Sequence, residues 1–369
     1  MPRVRVRLPA RKQDFDIKIG AGLLSVLGAE ARAVLGADAR RVVLISNSTV
    51  FDLYGKRVLQ TLKADNFKTV HWLMPEGERH KSLRSLEQAL RFLSAARLER
   101  SDSVIALGGG VVGDLAGLAA AVYLRGVPLI HVPTTLLAQI DSSVGGKTGV
   151  NLPAGKNLVG AFHQPSLVLI DTATLRTLPR RELTAGWCEA VKQGAVGSRK
   201  LFDQTVGFLN GSGIDLHDLI AAQCRFKASI VACDEREEVT RTDRRSRRIL
   251  NFGHTAAHAI EKVTGYRRFR HGEAVGRGML VAGEMSKSLG MLASGELELL
   301  REAVRLCGPL PRANDLSVDD IVQAIEGDKK STGGAVKWVL LERIGKPLIV
   351  DGREISLRVL CASLRAGLQ

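Results

Sequence analysis

The sequence predicts a fold in two parts: an α/β domain with a mainly parallel sheet over residues 1–180, and an all-α domain over residues 181–369. In the first part, short β-rich runs alternate with helical patterns, which is typical of βαβ units and a parallel sheet. After Leu178-Pro179 the β-rich runs thin out and patterns with a helical period take over. No low-complexity linker separates the two parts, so we expect a packed cleft between them.

Each β-rich run of the first part is short, apolar and of the length expected for a buried strand. The runs are Arg41–Ile45, Thr69–Leu73, Val104–Leu107, Leu129–Val132 and Leu167–Ile170. The opening residues 1–7 alternate apolar and basic side chains, which is also typical of a strand. Helical spacing predicts helices over residues 83–98, 214–233, 255–263, 272–292 and 294–306.

Composition limits the protein class. No apolar run reaches the roughly 20 residues that a membrane span requires, and the opening residues lack the apolar core of a signal peptide. We therefore expect a soluble, cytoplasmic protein without a membrane partner. The cysteines are widely spaced and form no CxxC pair, so reduced thiols in or near the core are expected rather than disulfides or a Cys-built zinc site. They are Cys188, Cys224, Cys233, Cys307 and Cys361.

The net charge of +15 raises the local concentration of anionic ligands. Nucleic acid is not the expected partner, because only 4% of residues are aromatic and the basic residues are dispersed along the chain. Arginines crowd the stretch from Arg236 to Arg248, and most of them are interpreted as a solvated loop. Arg247 differs, because it precedes Asn251 and a histidine motif by one helical turn.

A glycine-rich turn, 108–114, follows the β-rich run that ends at Leu107. In open α/β sheets such a turn lets backbone N–H groups approach a pyrophosphate at the carboxyl end of a strand. A tight turn from strand to helix explains the same glycines, since their spacing is not GxGxxG. Both interpretations stay open on this motif alone.

Polar residues near the other strand ends also allow both a ligand-binding and a structural interpretation. Asn47, Glu78 and Lys81 are suited to bonding ribose hydroxyls and a neighbouring anion, or they are ordinary loop residues. Lys147 and Lys156 lie in a Gly-rich segment with apolar flanks, where lysines are rare unless an anion compensates them. A substrate or cofactor anion is the expected compensation.

Short motifs in the second part contain candidate ligands for a divalent metal. His254 and His258 share one helix face, and His271 and Glu189 supply further donors. Spacing alone assigns both His254 and His258 to the metal, and a capping histidine plus a core histidine is the alternative. Three nitrogen or oxygen ligands would leave coordination positions open, as in catalytic sites.

Taken together, the motifs resemble the 3-dehydroquinate synthase family from about Pro75 to residue 330. The segments that carry the resemblance are 109–114, 125–126, 132–139, 141–147, 155–157, 189–192, 250–255 and 271–275. The resemblance implies a Rossmann-like NAD-binding domain, a helical domain, a divalent ion (zinc, or alternatively cobalt) between them, and a homodimer. Ala257, Cys188 and Gln193 depart from the usual residues of the family without removing a ligand.

The family's reaction converts 3-deoxy-D-arabino-heptulosonate 7-phosphate, an anionic sugar phosphate, to 3-dehydroquinate. By resemblance, NAD oxidises a secondary alcohol transiently, phosphate is eliminated, the ketone is reduced again, and an aldol step closes the ring. The metal lowers the pKa of the hydroxyl that is oxidised. The resemblance also moves His258 from the metal to the substrate, and leaves Glu189, His254 and His271 as the ligands.

The remaining site residues are likewise implied by the resemblance. The substrate contacts are Asp141, Lys147, Asn157, Lys192, Arg247, Asn251, His258 and Lys330 in place of Lys329, with Arg125 reaching the phosphate across a dimer interface. The NAD contacts are Asn47, Glu78, Lys81, Gly109, Gly110, Val111, Gly113, Asp114, Thr134, Thr135, Lys147, Lys156, Thr174 and Thr177. For Thr174 and Thr177, capping of the following helix is the alternative.

Other sugar phosphate cyclases, of the 2-deoxy-scyllo-inosose or valiolone type, are rivals because they share fold, NAD and metal. A substrate carboxylate separates them, and Lys147, Lys192, Arg247 and His258 favour the dehydroquinate reaction. A metal-dependent polyol dehydrogenase is a further rival, which would consume NAD stoichiometrically.

Overall fold

The computed structural model describes residues 14–332 and 336–369, and it leaves out the side chains of 328–332. The strand expected over residues 1–7 therefore lies outside the described residues. No described helix has both the length and the apolar character needed to cross a bilayer. The cytoplasmic location stays a prediction.

The described residues of the first part contain eight strands, and the five predicted ones, at 41–47, 68–74, 103–108, 129–133 and 167–171, end at or close to the predicted positions. The eight strands are β1 (Asp16–Gly20), β2 (Arg41–Asn47), β3 (Lys68–Met74), β4 (Ser103–Gly108), β5 (Leu129–Pro133), β6 (Lys147–Leu152), β7 (Gly155–Phe162) and β8 (Leu167–Asp171). Six of them form one sheet in the order β1-β8-β5-β4-β2-β3. Every pairing in this sheet is parallel, which confirms the expected α/β architecture.

Helices cover both faces of this sheet. They are α1 (Leu27–Leu35), α2 (Ser48–Val50), α3 (Lys56–Ala64), α4 (Leu83–Ala95) and α5 (Gly110–Val122). Leu93 of α4 and Leu115 of α5 are buried in the apolar cluster on one face. Leu27 of α1 and Leu62 of α3 are buried in the cluster on the other face. The sheet is thus covered on both sides, as parallel sheets require.

The antiparallel hairpin β6–β7 was not predicted from the sequence. It packs on α5, with Lys147 opposite Phe162 at its open end and Lys156 beside its turn. Glycines interrupt the alternation of apolar and polar residues here, so the segment does not have the pattern of a strand. The hairpin nevertheless places both lysines towards the second half of the chain.

The second half is largely helical. Its helices are α6 (Arg180–Gly197), α7 (Arg199–Leu209), α8 (Leu216–Cys233), α9 (His254–Val263), α10 (His271–Ser288), α11 (Ser294–Leu306), α12 (Val318–Thr332) and α13 (Leu357–Gly367). Helix α10 is central, because it packs against α6, α9, α11 and α13. The helices expected over 214–233, 255–263, 272–292 and 294–306 are confirmed, the third with an earlier end.

The prediction of an all-α second domain is wrong in one respect. Two antiparallel strands, β9 (Lys337–Arg343) and β10 (Lys346–Asp351), form a hairpin whose Trp338 is buried in the helical core. The run of apolar residues at 338–341 is short and followed by Gly345, which has a φ of 81° in the turn. A hairpin satisfies the backbone hydrogen bonds of such a buried segment with few residues.

An apolar cluster joins the sheet to the second half: Ile170 of β8 packs with Ala190 of α6 and Ile220 of α8. The division into domains at residue 180 stays a prediction, although α6 does begin at Arg180. The cysteines are free thiols, and Cys188, Cys224 and Cys307 are buried as expected. Cys233 is exposed at the end of α8, so the expectation of core thiols is wrong for that residue.

Candidate active site

The carboxyl edge of the parallel sheet carries most of the predicted cofactor residues. Asn47 ends β2, Gly109 follows β4, and Thr134 and Thr135 follow β5. The order of the sheet reverses beside β4, because β2 and β3 lie on one side of it and β5 and β8 on the other. Such reversals form the crevice in which open α/β sheets bind ligands. The N-terminus of α5, at Gly110, adds a partial positive charge to the crevice.

A polar network centred on Lys81 lies beside this edge. The Lys81 ammonium is buried and donates to Asp114 Oδ2 at 2.8 Å and to Asn157 Oδ1 at 2.5 Å, and Glu78 Oε1 is 3.4 Å away. Burial opposes the charge on Lys81, but Asp114 and Glu78 outweigh burial and raise its pKa. Asn157, expected at the substrate, therefore lies against Lys81, a residue predicted to contact the cofactor.

Several predicted cofactor residues also hold the local backbone. Asn47 Oδ1 accepts from the Val50 N–H at 2.9 Å and caps α2, and Thr135 Oγ1 accepts from the Ala138 N–H at 3.1 Å. The Asn47 bond agrees with its interpretation as an ordinary loop residue, and the Thr135 bond likewise holds the local backbone. They do not occupy every acceptor, because a side-chain oxygen has more than one lone pair.

The alternative that Thr174 and Thr177 cap the following helix is wrong. Thr174 Oγ1 donates to Asp171 O at 2.7 Å, and Thr177 Oγ1 donates to Thr174 O at 3.1 Å. Both bonds lie within the 3₁₀ turn Thr172–Thr177, whereas α6 begins after Pro179 without a side-chain cap. The pair therefore stabilises the loop after β8.

Three candidate metal ligands converge from three helices. Glu189 lies on α6, and His254 and His271 are the first residues of α9 and α10. One donor atom from each lies within 4.8 Å of the other two. The Nε2 atoms of His254 and His271 are 3.9 and 3.5 Å from Glu189 Oε1, and Glu189 is only 1% exposed.

Two close helix contacts make this convergence sterically feasible. A Cβ atom on Gly272 would lie 1.9 Å from Ala185 O, and one on Gly278 would lie 2.0 Å from Gly253 O. A larger residue in place of Gly272 would push α10 away from α6. A larger residue in place of Gly278 would push α10 away from the start of α9. The two glycines therefore bring the three ligand-bearing helix segments together.

The two imidazoles are oriented for metal binding. His254 Nδ1 faces Phe252 O at 3.3 Å and His271 Nδ1 faces Glu261 Oε1 at 3.5 Å, so both Nε2 atoms point towards Glu189. Burial, with Lys192 adding to it, lowers the pKa of His254 well below its usual value, which favours the neutral form that binds metals. Two nitrogen donors and one oxygen donor fit a zinc-like divalent ion with open coordination positions.

A buried charge network adjoins the triad. Lys192 Nζ lies 2.6 Å from Glu189 Oε2 and 3.2 Å from Asp141 Oδ2. Lys227 Nζ donates to Asp141 O at 2.6 Å and also pairs with Asp141 Oδ1. Burial opposes the ionisation of Asp141, but Lys192 and Lys227 outweigh burial and hold its pKa well below the usual range. The pKa of Lys227 is lowered, because burial and the charge of Arg247 outweigh the effect of Asp141.

Lys227 was missed from the sequence, although a signal was present. In α8 it shares a helix face with Leu219, Gln223 and Ile230, all of them buried. A lysine within an otherwise buried stripe needs a buried partner, and Asp141 is that partner.

The stretch 236–248 contributes to the same cleft. Arg247 is 3% exposed and donates to Gly145 O at 2.8 Å, while Arg236, Arg244 and Arg245 are exposed, as the solvated-loop interpretation requires. Glu237, which was missed, pairs with Lys147 and accepts from Asn251 Nδ2 at 3.3 Å. It was overlooked because its surroundings were interpreted as solvated.

Carboxylates from the second half of the chain thus compensate the two hairpin lysines. Lys147 pairs with Glu237, and Lys156 Nζ lies 3.0 Å from Glu261 Oε1. Acids within the chain therefore pair with both lysines in this structure, and compensation by a substrate or cofactor anion stays a prediction. A ligand that binds either lysine has to replace or extend that pairing.

Of the remaining predicted residues, His258 lies beside the triad. His258 is exposed, with its ring centroid 5.6 Å from that of His254 and 6.0 Å from that of His271. Arg125 is exposed in the turn Tyr123–Arg125 at the end of α5. Lys329 and Lys330 belong to α12, but their side chains are outside the described part of the chain.

Family models match most of the chain. The model described as 3-dehydroquinate synthase N-terminal covers residues 71–185, and the model described as 3-dehydroquinate synthase C-terminal covers residues 186–331. The chain belongs to the 3-dehydroquinate synthase family. A 3-dehydroquinate synthase of Microcystis aeruginosa is 42% identical over 354 residues, with 94% of each chain covered. That of Symbiobacterium thermophilum is 44% identical over 346 residues, with 92% of this chain and 94% of the relative covered.

Solved structures agree with this membership. A 2-deoxy-scyllo-inosose synthase complexed with carbaglucose-6-phosphate, NAD⁺ and Co²⁺ has a TM-score of 0.83 at 26% identity, covering 96% of this chain and 97% of the other. A 2-epi-5-epi-valiolone synthase from Streptomyces hygroscopicus with NAD⁺ and Zn²⁺ bound has a TM-score of 0.84 at 28% identity, covering 97% and 98%. Both are less similar in sequence than the 3-dehydroquinate synthases above, so the alternative of another cyclase is not favoured.

Proposed function

We propose that this member of the 3-dehydroquinate synthase family converts 3-deoxy-D-arabino-heptulosonate 7-phosphate to 3-dehydroquinate and phosphate, using NAD and one divalent metal. The observation that carries the site assignment is the convergence of Glu189, His254 and His271 beside a buried network of lysines and an aspartate. When bound, NAD would accept a hydride and return it, and the metal would polarise the hydroxyl that is oxidised.

Lys192, Asp141 and Lys227 would act on the substrate at the metal site. The two lysines are buried, Asp141 is largely so, and mutual contacts hold all three, so they can stabilise charge that develops on the substrate without reorganising. Burial lowers the pKa of Lys227, which makes its ammonium a better proton donor than an exposed lysine. We assign Lys192 to the reacting hydroxyl region, and Asp141 to holding Lys192 in place.

Arg247, Lys147 and Asn251 would bind the anionic groups of the substrate. Arg247 is buried and touches the backbone at Gly145, which leaves its planar guanidinium suited to a carboxylate. Lys147 and Asn251 share Glu237 as a partner. A substrate phosphate that took the place of the Glu237 carboxylate would meet both donors at once, and we assign Asn157, His258 and Lys330 to the same substrate.

NAD would lie along the carboxyl edge of the sheet. The backbone at Gly109, Gly110, Val111 and Gly113 would face the pyrophosphate, next to the N-terminus of α5. Glu78 and the Lys81 network would face a ribose. Thr134 and Thr174 are buried, so their proposed contact with NAD requires the loops after β5 and β8 to expose them.

The decisive assay measures inorganic phosphate released from the heptulosonate phosphate by purified protein, with NAD and zinc and with a chelator. The proposal expects release that requires zinc and catalytic NAD, without accumulation of NADH. Accumulation of NADH in proportion to product would instead indicate a polyol dehydrogenase. No phosphate release, with activity on a hexose or heptulose phosphate lacking the carboxylate, would indicate another cyclase.

We also propose a homodimer in which the partner's Arg125 contacts the substrate phosphate. Leu124 and Arg125 have φ values of 49° and 67°, and Val122 and Leu124 are exposed apolar residues beside the turn. Residues other than glycine rarely adopt such φ values, and they tend to do so where function requires it.

Subunit mixing tests this arrangement. Arg125→Ala and His271→Ala should each be inactive alone, whereas co-refolded or co-expressed mixtures should regain activity. In a mixed dimer, the subunit with the intact metal site would receive Arg125 from its partner. Mixed dimers without activity, or a monomer in sedimentation, would refute the proposed role of Arg125.

A further inference from the structure

A buried carboxylate that was not predicted from the sequence lies behind one of the candidate metal ligands. Glu261, on α9, is 2% exposed. Its Oε1 lies 3.5 Å from His271 Nδ1 and 3.0 Å from Lys156 Nζ. Its Oε2 is also buried and has no hydrogen-bond partner among the described residues. One oxygen of Glu261 thus serves the imidazole and the hairpin lysine together.

The two sides of the His271 ring face two different acids. Nδ1 faces Glu261, while Nε2 faces Glu189 Oε1 at 3.5 Å. A carboxylate that accepts from one ring nitrogen fixes the tautomer, so that the other nitrogen is free to bind a metal, and it makes that nitrogen more basic. Lys156 Nζ lies 3.0 Å from the oxygen that faces Nδ1, so the Glu261 carboxylate is paired with a cation as well as with the imidazole.

We propose that Glu261 is a positioning residue, which holds the ring of His271 with Nε2 towards the metal and ties this ligand to the hairpin β6–β7 through Lys156. The inference rests on the proposed metal triad and deepens it. Lys156 is also a proposed NAD contact. Glu261 Oε1 therefore connects the hairpin β6–β7, which would contact NAD, with His271, which would bind the metal.

A second arrangement is chemically conceivable, since donor atoms of His258, Glu261 and His271 also lie within 4.8 Å of one another. In that arrangement Glu261 would be a ligand itself. The Lys156 ammonium argues against this arrangement, because it lies 3.0 Å from Glu261 Oε1 and would repel a cation bound to that carboxylate. Glu189 has its Oε1 facing both Nε2 atoms, which makes it the better placed carboxylate.

The test measures zinc affinity of the metal-depleted full-length protein by competition with a chromogenic chelator. Glu261→Gln should weaken zinc binding by about 10- to 100-fold, the range known for outer partners of ligating histidines. The matched control is Glu284→Gln, because Glu284 is a largely buried acid on α10 that pairs with Arg301 instead of a histidine. It should leave zinc affinity unchanged. An unchanged affinity in Glu261→Gln would overturn the proposal.

Cobalt absorption separates a positioning residue from a ligand. At saturating Co²⁺, Glu261→Gln should give the visible spectrum of the wild-type protein, whereas Glu189→Gln should change it. If Glu261→Gln changes the spectrum and Glu189→Gln does not, Glu261 is a ligand and both the inference and the proposed triad are wrong. Circular dichroism of each metal-free variant checks that the fold is kept.

The assay of phosphate release tests the proposed function, whereas the zinc affinities test the role of Glu261. Wild-type protein that releases no phosphate under the assay above would refute the function, while the order of zinc affinities would still test Glu261. Conversely, an active wild-type protein with wild-type zinc affinity in Glu261→Gln would refute only the positioning role.

Discussion

The carboxyl edge of the sheet and the histidine cluster are assembled in different ways. Residues at the edge follow directly from strand ends, and Asn47 and Thr135 bond to backbone groups only three residues away. The candidate metal triad, Glu189, His254 and His271, comes from three helices distant in sequence, and its alignment depends on Gly272 and Gly278. The edge is therefore encoded locally, whereas the cluster is encoded by tertiary packing. Substitutions in the cluster should accordingly have the larger and more cooperative effects.

His271→Ala should have the largest effect. It removes one of three metal donors, so zinc affinity should fall by more than the roughly 100-fold typical for losing an outer partner, and phosphate release should be abolished. Metal titration and the phosphate assay measure both effects. The control is His217→Ala, because His217 lies on α8 and bonds Thr172 and Asp215, away from the cluster. Stoichiometric zinc and normal turnover in His271→Ala would refute the ligand assignment.

Lys192→Ala should come next. It removes the ammonium between Asp141 and Glu189, so the charge stabilisation offered to the reacting substrate is lost, and turnover should fall by about 10²- to 10³-fold. The dissociation constant of NAD should stay within about threefold, because the Lys81 network and the strand ends are untouched. Steady-state kinetics and fluorescence titration of NAD compare the two. Lys200, an exposed lysine on α7, provides the control variant Lys200→Ala. Equal losses in turnover and NAD affinity would place Lys192 elsewhere.

The sequence predicted the sheet better than the cluster, for a physical reason. Four of the six strands of the sheet are buried and nearly continuous apolar runs, so they were located, as was the edge strand β3, and the carboxyl ends of these strands then indicated the predicted cofactor edge. β1 was missed although Ile17 and Ile19 alternate with polar residues as in a half-buried strand, because this short segment is not a continuous apolar run. The hairpin β9–β10 was missed because a short apolar run does not distinguish a strand from a buried helix segment.

For the site, the family motifs singled out Glu189, His254 and His271, which the structure brings together, whereas periodicity alone did not single them out. His254, His258 and His271 are all close together, and spacing could not tell a ligand from a neighbour. The missed charges, Lys227, Glu237 and Glu261, act through partners that are distant in the chain. Only their pairing with Asp141, Lys147 and Lys156 reveals them. Such pairs follow from how helices and loops approach each other, which a local pattern does not contain.

Gly272→Ala should sharpen the comparison by disturbing the cluster without touching a ligand. The added Cβ would lie 1.9 Å from Ala185 O, so α10 must shift away from α6, at a cost of about 1–3 kcal/mol in the free energy of unfolding. Zinc affinity should fall as well, because His271 moves with the helix, while NAD affinity should be nearly unchanged. Denaturant unfolding and metal titration measure these effects.

Gly295→Ala is the matched control for that prediction. A Cβ on Gly295, in α11, meets nothing within 4 Å, so stability should be unchanged or rise by less than about 1 kcal/mol. Wild-type stability and zinc affinity in Gly272→Ala would mean that the close approach of α10 to α6 does not align the ligands.

Asn47→Ala should have the smallest effect, because the edge of the sheet is built from many independent local contacts. The substitution removes the cap on the Val50 N–H, which should cost about 1 kcal/mol of stability. NAD affinity should fall less than about tenfold, the equivalent of one hydrogen bond, and zinc affinity should not change. Calorimetric unfolding with and without NAD measures both. A loss of zinc binding in this variant would show that the edge and the cluster are coupled more tightly than their separate construction implies, with the Lys156–Glu261 contact as the evident route between them.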